Sequence, residues 1–418
     1  PFGEAGVVAI FSRSCLDRTP PTIFGTGEDT RDYVYVEDVV DAIVRAGATG
    51  GGRLPDGDQL TAGVGEYVRT FDRRHAGFGG APKFPRPAEL MFLLREHART
   101  GGIEARQMVI DTLRAMATGG MRDHVGGGFH RYSVDAAWRV PHFEKMLYDQ
   151  AQLTLVYLEV AQAAADPWFA AVAEDTLTYV RRDLSHADGG FLSAEDADSV
   201  CPEQARQPGA VKTEGAFYTW SQSEIDQLFG ADADVICFRY GIEPGGNAPE
   251  DPHNEFADKN LLYVARGVDD VARLSGRPVE ASDEVLRDAR VRLFQARSKR
   301  PRPHLDDKVL AGWNGLMIAA FARAARVAPL DDASGEMSLE TAQRAAGFLY
   351  ERLWDTERRL LLRRFREGRS DIEAYGEDYA FVVFGLLELF QAGGEPRWLD
   401  WARELQAIQN RLFVDEED

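Results

Sequence analysis

From about residue 60 to the end of the chain, apolar residues recur at three- and four-residue spacing, the period of a helix with one buried face. The pattern predicts helices over 60–75, 86–100, 103–118, 143–164, 167–184, 223–229, 284–296, 307–327, 340–353, 375–390 and 397–413. Gly, Pro and aromatic residues crowd the connections. The first fifty residues differ: TIFGTGEDTRDYVYV alternates apolar and polar positions and VEDVVDAIVRAG follows with a helical pattern, so this part reads as strand, turn, strand, helix. The Gly-rich stretch GATGGGRLPDGD reads as a linker. Two regions follow, a short α/β fragment over 1–52 and a mainly α region over 53–418. Helix, motif-rich loop, helix at broad spacing suits an α/α toroid better than a short-period solenoid.

Composition narrows the function classes. A net charge of −20 repels phosphate backbones, and no basic stripe offsets it, so nucleic acid is excluded as a partner. The longest apolar run, 381–390, is far too short to cross a bilayer, which excludes a membrane role. Cys15, Cys201 and Cys237 lie far apart without a Cys-x-x-Cys pair, so neither a metal knuckle nor a neighbouring dithiol is expected. With no charged and apolar leader pattern, the expected compartment is the cytoplasm. No cofactor is expected.

Residues 3–47, GEAGVVAIFSRSCLDRTPPTIFGTGEDTRDYVYVEDVVDAIVRAG, resemble part of the substrate domain of extended short-chain dehydrogenases such as NAD-dependent nucleotide-sugar 4-epimerases. The resemblance implies that Arg31 would reach a sugar-nucleotide diphosphate; the plain alternative is a surface Arg paired with Glu28 or Asp32. No Gly-rich dinucleotide cradle follows a strand, and no Tyr has Lys four residues later, so hydride chemistry is not expected.

Six connections are unlike ordinary surface loops: GFGGAPKFPRP at 77–87, the run from DHVGGGFHRYS to FEKMLYDQAQL at 123–153, GGFLSAEDADS at 189–199, EGAFYTW at 214–220, DDKVLAGWNGLMIAA at 306–320, and GEDYAF at 376–381. Together they resemble the helical region of the thioredoxin-domain-containing proteins that include the spermatogenesis-associated thioredoxin-like protein of animals. The resemblance covers roughly 66–418. It implies an (α/α)6 toroid similar to six-hairpin glycosidases and N-acylglucosamine 2-epimerases, and a thioredoxin-like domain as a possible partner. The toroid is expected to be incomplete at its C-terminus. The two unlike regions are read as a natural fusion or an assembly or gene-model join, the join being favoured.

In such a toroid, loops at one rim converge on a central funnel. A 2-epimerase needs a base and an acid on opposite faces of a sugar carbon, and His130 and His142 are the first candidates. A hydrolase needs paired carboxylates, for which Asp196 and Asp378 stand forward, with Glu195 and Asp198 able to raise a neighbour's pKa. The expected substrate-binding residues are Arg131, Trp138, Glu144, Lys145, Glu195, Asp307, Lys308, Trp313, Asn314 and Tyr379. Each has a structural alternative: a His bonded to backbone carbonyls, a carboxylate capping a helix as Asp306 is placed to do, an aromatic in the core. The leading expectation is acid–base chemistry on a sugar or sugar derivative. The rivals are a non-catalytic scaffold or redox-partner module, and a remnant of a nucleotide-sugar epimerase.

Overall fold

The computed structural model describes residues 57–204, 209–248, 256–328 and 333–413. The chain divides into two units, Pro1–Thr49 and Gly50–Asp418. The expected α/β fragment, with Arg31, lies outside the described residues, so the architecture below is that of the second unit.

Thirteen α-helices occur among the described residues: α1 (Gly57–Thr70), α2 (Pro87–Thr100), α3 (Ile103–Thr118), α4 (Leu147–Ala164), α5 (Pro167–Asp183), α6 (Gln222–Phe229), α7 (Ala233–Tyr240), α8 (Val268–Ser275), α9 (Val279–Arg297), α10 (Ala311–Val327), α11 (Ala333–Arg352), α12 (Gly376–Gly393) and α13 (Pro396–Phe413). They fall into two kinds. Residues 149–158 of α4 and 314–322 of α10 are buried without interruption, and α12 is the most apolar helix. Helices apolar all round belong inside. By contrast α5, α11 and α13 bury one stripe each, such as Trp398, Trp401, Ala402, Leu405 and Ile408 of α13. Each inner helix hands directly to an outer one, α4 to α5, α10 to α11, α12 to α13, and the inner helices pack on one another. This is the α/α arrangement that the periodicity predicts.

The inner helices touch backbone to backbone. A Cβ at Gly385 of α12 would lie 2.3 Å from the carbonyl oxygen of Gly315 in α10, and one at Gly315 would lie 2.4 Å from that of Phe381. Only glycine permits this crossing, so the Asn-Gly pair at 314–315 does serve packing. Asn314, fully buried, accepts from Phe191 N (2.7 Å) and donates to Phe191 O (3.0 Å) and Leu310 O (2.9 Å).

Short strands stitch the connections together at the N-terminal ends of the inner helices. β1 (Tyr132–Ser133) pairs with β2 (Pro141–His142). β3 (Lys145–Met146), β4 (Ala194–Glu195) and β7 (Leu305–Asp306) form a sheet in the order β3-β4-β7, with Lys145 opposite Glu195 and Ala194 opposite Asp306. β5 (Asp198–Val200) pairs with β6 (Lys212–Glu214). β8 (Val309–Leu310) joins β10 (Leu360–Arg366), which is flanked by β9 (Trp354–Asp355) and β11 (Arg369–Glu373). These pairings start two helices later than their periodicity suggests, at Leu147 and Ala311, because β3 and β8 keep the preceding residues extended. Asp306 lies in β7 and caps no helix; its carboxylate accepts from Lys308 N (3.3 Å). The basic run 358–369 includes the turn between β10 and β11.

Helices α6 to α9 form a lobe with its own apolar cluster around Trp220, Ile225, Val235, Ile236 and Leu293. A reciprocal cap starts α6: Ser221 Oγ accepts from Glu224 N and Glu224 Oε2 from Ser221 N. The eight-residue α7 and α8 are not among the helices that the sequence predicts.

Replacing Gly385 with Ala is expected to lower stability by roughly 2 kcal/mol, because backbone atoms cannot yield as side chains do. Urea unfolding checks this, and an unchanged midpoint would refute the crossing.

Candidate functional site

One extended segment, 141–146, organises the site. Burial alternates along it: Pro141, Phe143 and Lys145 point inward, while His142 and Glu144 stay partly open. A strand sends successive side chains to opposite faces, so the segment carries two clusters.

On the open face His142 lies between two carboxylates. Its Nδ1 donates to Glu214 Oε1 (2.7 Å) and its Nε2 lies 3.2 Å from Glu144 Oε2. Burial works against a charged ring, but the two carboxylates outweigh it and raise the pKa from 6.5 to about 9. Arg131 holds Glu144 at 3.0 Å, and Phe143 N donates to Glu214 (3.2 Å). Asp198 stands opposite Glu214 in the β5–β6 pairing. Burial, then Asp196, then Glu214, raise its pKa, while His142 opposes the rise.

Aromatic rings extend this face. Tyr132 stacks on His142 with centroids 5.0 Å apart, and Phe84 stacks on Tyr132 at 4.8 Å with 45% of its surface exposed. Nearby in sequence, Asp149 in the first turn of α4 is buried, and its Oδ2 has no partner among the described residues. Burial lifts its pKa to about 8, Arg131 opposing and Glu144 adding to the rise, so it holds its proton at neutral pH.

On the inner face Lys145 donates to Asp123 Oδ2 (2.8 Å) and Gly127 O (2.9 Å). Arg297 grips the same Asp123 through two bonds of 2.7 Å, and Val125 and Gly126 N–H groups complete it at 3.0 Å. Burial alone would raise Asp123, but the two cations hold it well below the usual carboxylate range. His130 lies beside this network with Nδ1 3.0 Å from Phe143 O. Burial, then the charge of Lys145, push its pKa down to about 3, so its ring is neutral. Glu195 Oε2 accepts from Tyr179 Oη (3.0 Å) and Oε1 from Arg302 Nε (2.7 Å).

Four similarities to known proteins bear on the two parts of the chain. Residues 1–54 match the model of the NAD dependent epimerase/dehydratase family. Spermatogenesis-associated protein 20 of Homo sapiens is 42% identical over 369 residues, covering 82% of this chain and 46% of that protein. UDP-glucose 4-epimerase of Mycolicibacterium smegmatis is 51% identical over 87 residues, 20% of this chain and 26% of that protein. A solved Glycoside Hydrolase From Family 105 of C. acetobutylicum superposes with a TM-score of 0.50 at 12% identity, covering 87% of this chain and 74% of that one. The fold is therefore an α/α toroid like that of this structure. The chain has homologues named Spermatogenesis-associated protein 20 and spans about half the length of the curated relatives it matches.

The sequence-predicted residues divide into three groups. Arg131, His142, Glu144 and Asp196 gather on the open face. Asp307, paired with Arg366 (2.7 Å), and Lys308, paired with Asp306 (3.0 Å), continue that edge through β7 and β8. Trp313 meets Tyr148 edge to face at 4.8 Å where α10 and α4 begin. His130, Lys145 and Glu195 belong to the inner network.

The remaining four are buried and bonded within the fold. Trp138 is buried, donates to Ala76 O (3.3 Å), and fills the space beside Gly77 and Gly119. Asn314 is saturated by backbone. Asp378 accepts from Gly312 N (3.1 Å) and Tyr375 N (3.0 Å) and pairs with Arg363 (2.8 Å). Tyr379 is buried, with its hydroxyl accepting from Leu361 N (2.9 Å). Glu214, Asp149, Tyr132 and Phe84 were missed; all four lie inside the quoted motifs or beside them, but nothing local marks their orientation.

Two outcomes follow. A folded pKa raised from 6.5 to about 9 means that the His142 contribution to stability is complete below pH 6.5 and lost as the pH rises through 9. The stability gap between wild type and His142→Gln, read by thermal unfolding, is therefore widest near pH 6.5 and closes above pH 9. Asp123→Asn leaves two buried cations without their anion and is expected to cost about 3–5 kcal/mol in chemical unfolding.

Proposed function

We propose that the toroid acts on a sugar or sugar derivative by acid–base chemistry on the open face of 141–146. One observation carries this reading: His142, fixed between Glu144 and Glu214, stands beside an exposed aromatic stack, Phe84 on Tyr132. Aromatic faces suit the apolar C–H faces of sugar rings, and flanking carboxylates suit hydroxyl groups. His142 carries its proton at neutral pH and serves as the proton donor. Glu214 and Asp198 are the carboxylates placed to receive a proton. The likeness to a glycoside hydrolase in fold is consistent with a carbohydrate substrate, and the named toroid residues Arg131, Trp313, Asp307 and Lys308 would contact it. A thioredoxin-like domain is the macromolecular partner that the sequence resemblance implies.

The test is a panel of neutral, N-acylated and acidic sugars, followed by nuclear magnetic resonance for epimerisation and by reducing-end assay for hydrolysis. The expected result is turnover of one class, with His142→Gln and Glu214→Gln lowering kcat by roughly a hundredfold or more while keeping substrate-induced thermal shifts. If no sugar shifts the unfolding temperature or is turned over, the scaffold reading replaces this one.

A further inference from the structure

Behind the site just described lies a second opening that the acid–base chemistry does not use. A cleft of about 100 Å3 runs between the end of α5, the segment after α9, and residues 217–218. Lys145, Arg182, Arg297, Arg300 and Arg302 line it, against three carboxylates, Asp123, Asp183 and Glu195. The excess is two positive charges, on a chain whose net charge is −20.

All six carboxylate oxygens already have partners. Asp123 is held by Arg297 and Lys145, Asp183 by Arg182 and Arg302, and Glu195 by Arg302 and Tyr179. The donors are not all matched. Arg297 Nε and Tyr218 Oη, on residues 3% and 6% exposed, have no hydrogen-bond partner among the described residues. Both residues line the cleft, where it meets a smaller cavity of about 20 Å3. A buried orphan donor is costly, and two of them in one cation-rich cleft mark the place of a missing acceptor. Arg300 is preset beside them: its Nη1 donates to Phe217 O (2.9 Å) and Thr219 O (2.7 Å), and its guanidinium lies 3.8 Å from the Trp220 ring centroid.

We propose that this cleft binds a small oxyanion group, a phosphate or a carboxylate, whose oxygens accept from Tyr218 Oη and Arg297 Nε. The site is distinct from that of His142, since Lys145 and His142 leave opposite faces of the same segment. Phe217 and Phe294 in its wall leave room for an apolar body attached to the anion. The inference does not rest on the sugar chemistry, because it is read by binding alone.

The probes are inorganic phosphate and glucuronate, titrated against potassium chloride at equal ionic strength, with calorimetry and thermal unfolding as readouts. The expected result is saturable binding of one anion per chain, weakened about tenfold in Tyr218→Phe. That variant removes only the orphan hydroxyl, and its unfolding temperature without anion should equal or exceed that of wild type. Arg302→Gln, at the open side of the cleft, should weaken binding as well. Arg297 is left intact, since its loss strands Asp123. Binding of phosphate alone assigns a phosphoryl group, and of glucuronate alone a carboxylate. A shift no larger than with chloride, or an affinity unchanged in Tyr218→Phe, overturns the proposal.

Discussion

The buried carboxylate of Asp123 is the interaction on which the arrangement depends. It draws Arg297 from the end of α9 and Lys145 from β3 to one point, joining the lobe to the ring across 174 residues of chain. Charges this deep are tolerated only when each is answered, and here two cations and two backbone N–H groups answer one anion. The network leaves a positive remainder, which makes the adjoining cleft an anion site. Because Lys145 is pinned inward, strand geometry turns His142 and Glu144 outward.

That alternation explains why two histidines twelve residues apart have opposite characters. His130 faces the cations and is stripped of water, so it stays neutral and bonds a carbonyl. His142 faces carboxylates at the edge of solvent and keeps its proton. One residue type thus has a neutral ring on one side of the segment and a protonated ring on the other.

Much of this was legible in the residues. Helical period, motif-rich connections and the likeness carried by six loops point to an α/α toroid, and the periods place most helices within a few residues. Arg131, His142 and Glu144 lie within fourteen residues of chain in one quoted motif, so the sequence could group them. Glu214, which fixes His142, is 72 residues away and looks like any acid before an aromatic run. Asn314 and Asp378, polar residues in unusual motifs, bond backbone groups of residues far away in sequence, Phe191 and Gly312, which no local pattern announces.

The sequence by itself determined what depends on neighbours along the chain. Helix positions, the acidic net charge and the loops worth watching all follow from local pattern and composition. Only the tertiary structure decided which of those loops meet, which face each side chain takes, and which charges answer one another. Desolvation and Coulomb attraction depend on distance in space and on exclusion of water. Neither quantity exists until Asp123 and Arg297, or His142 and Glu214, are folded together.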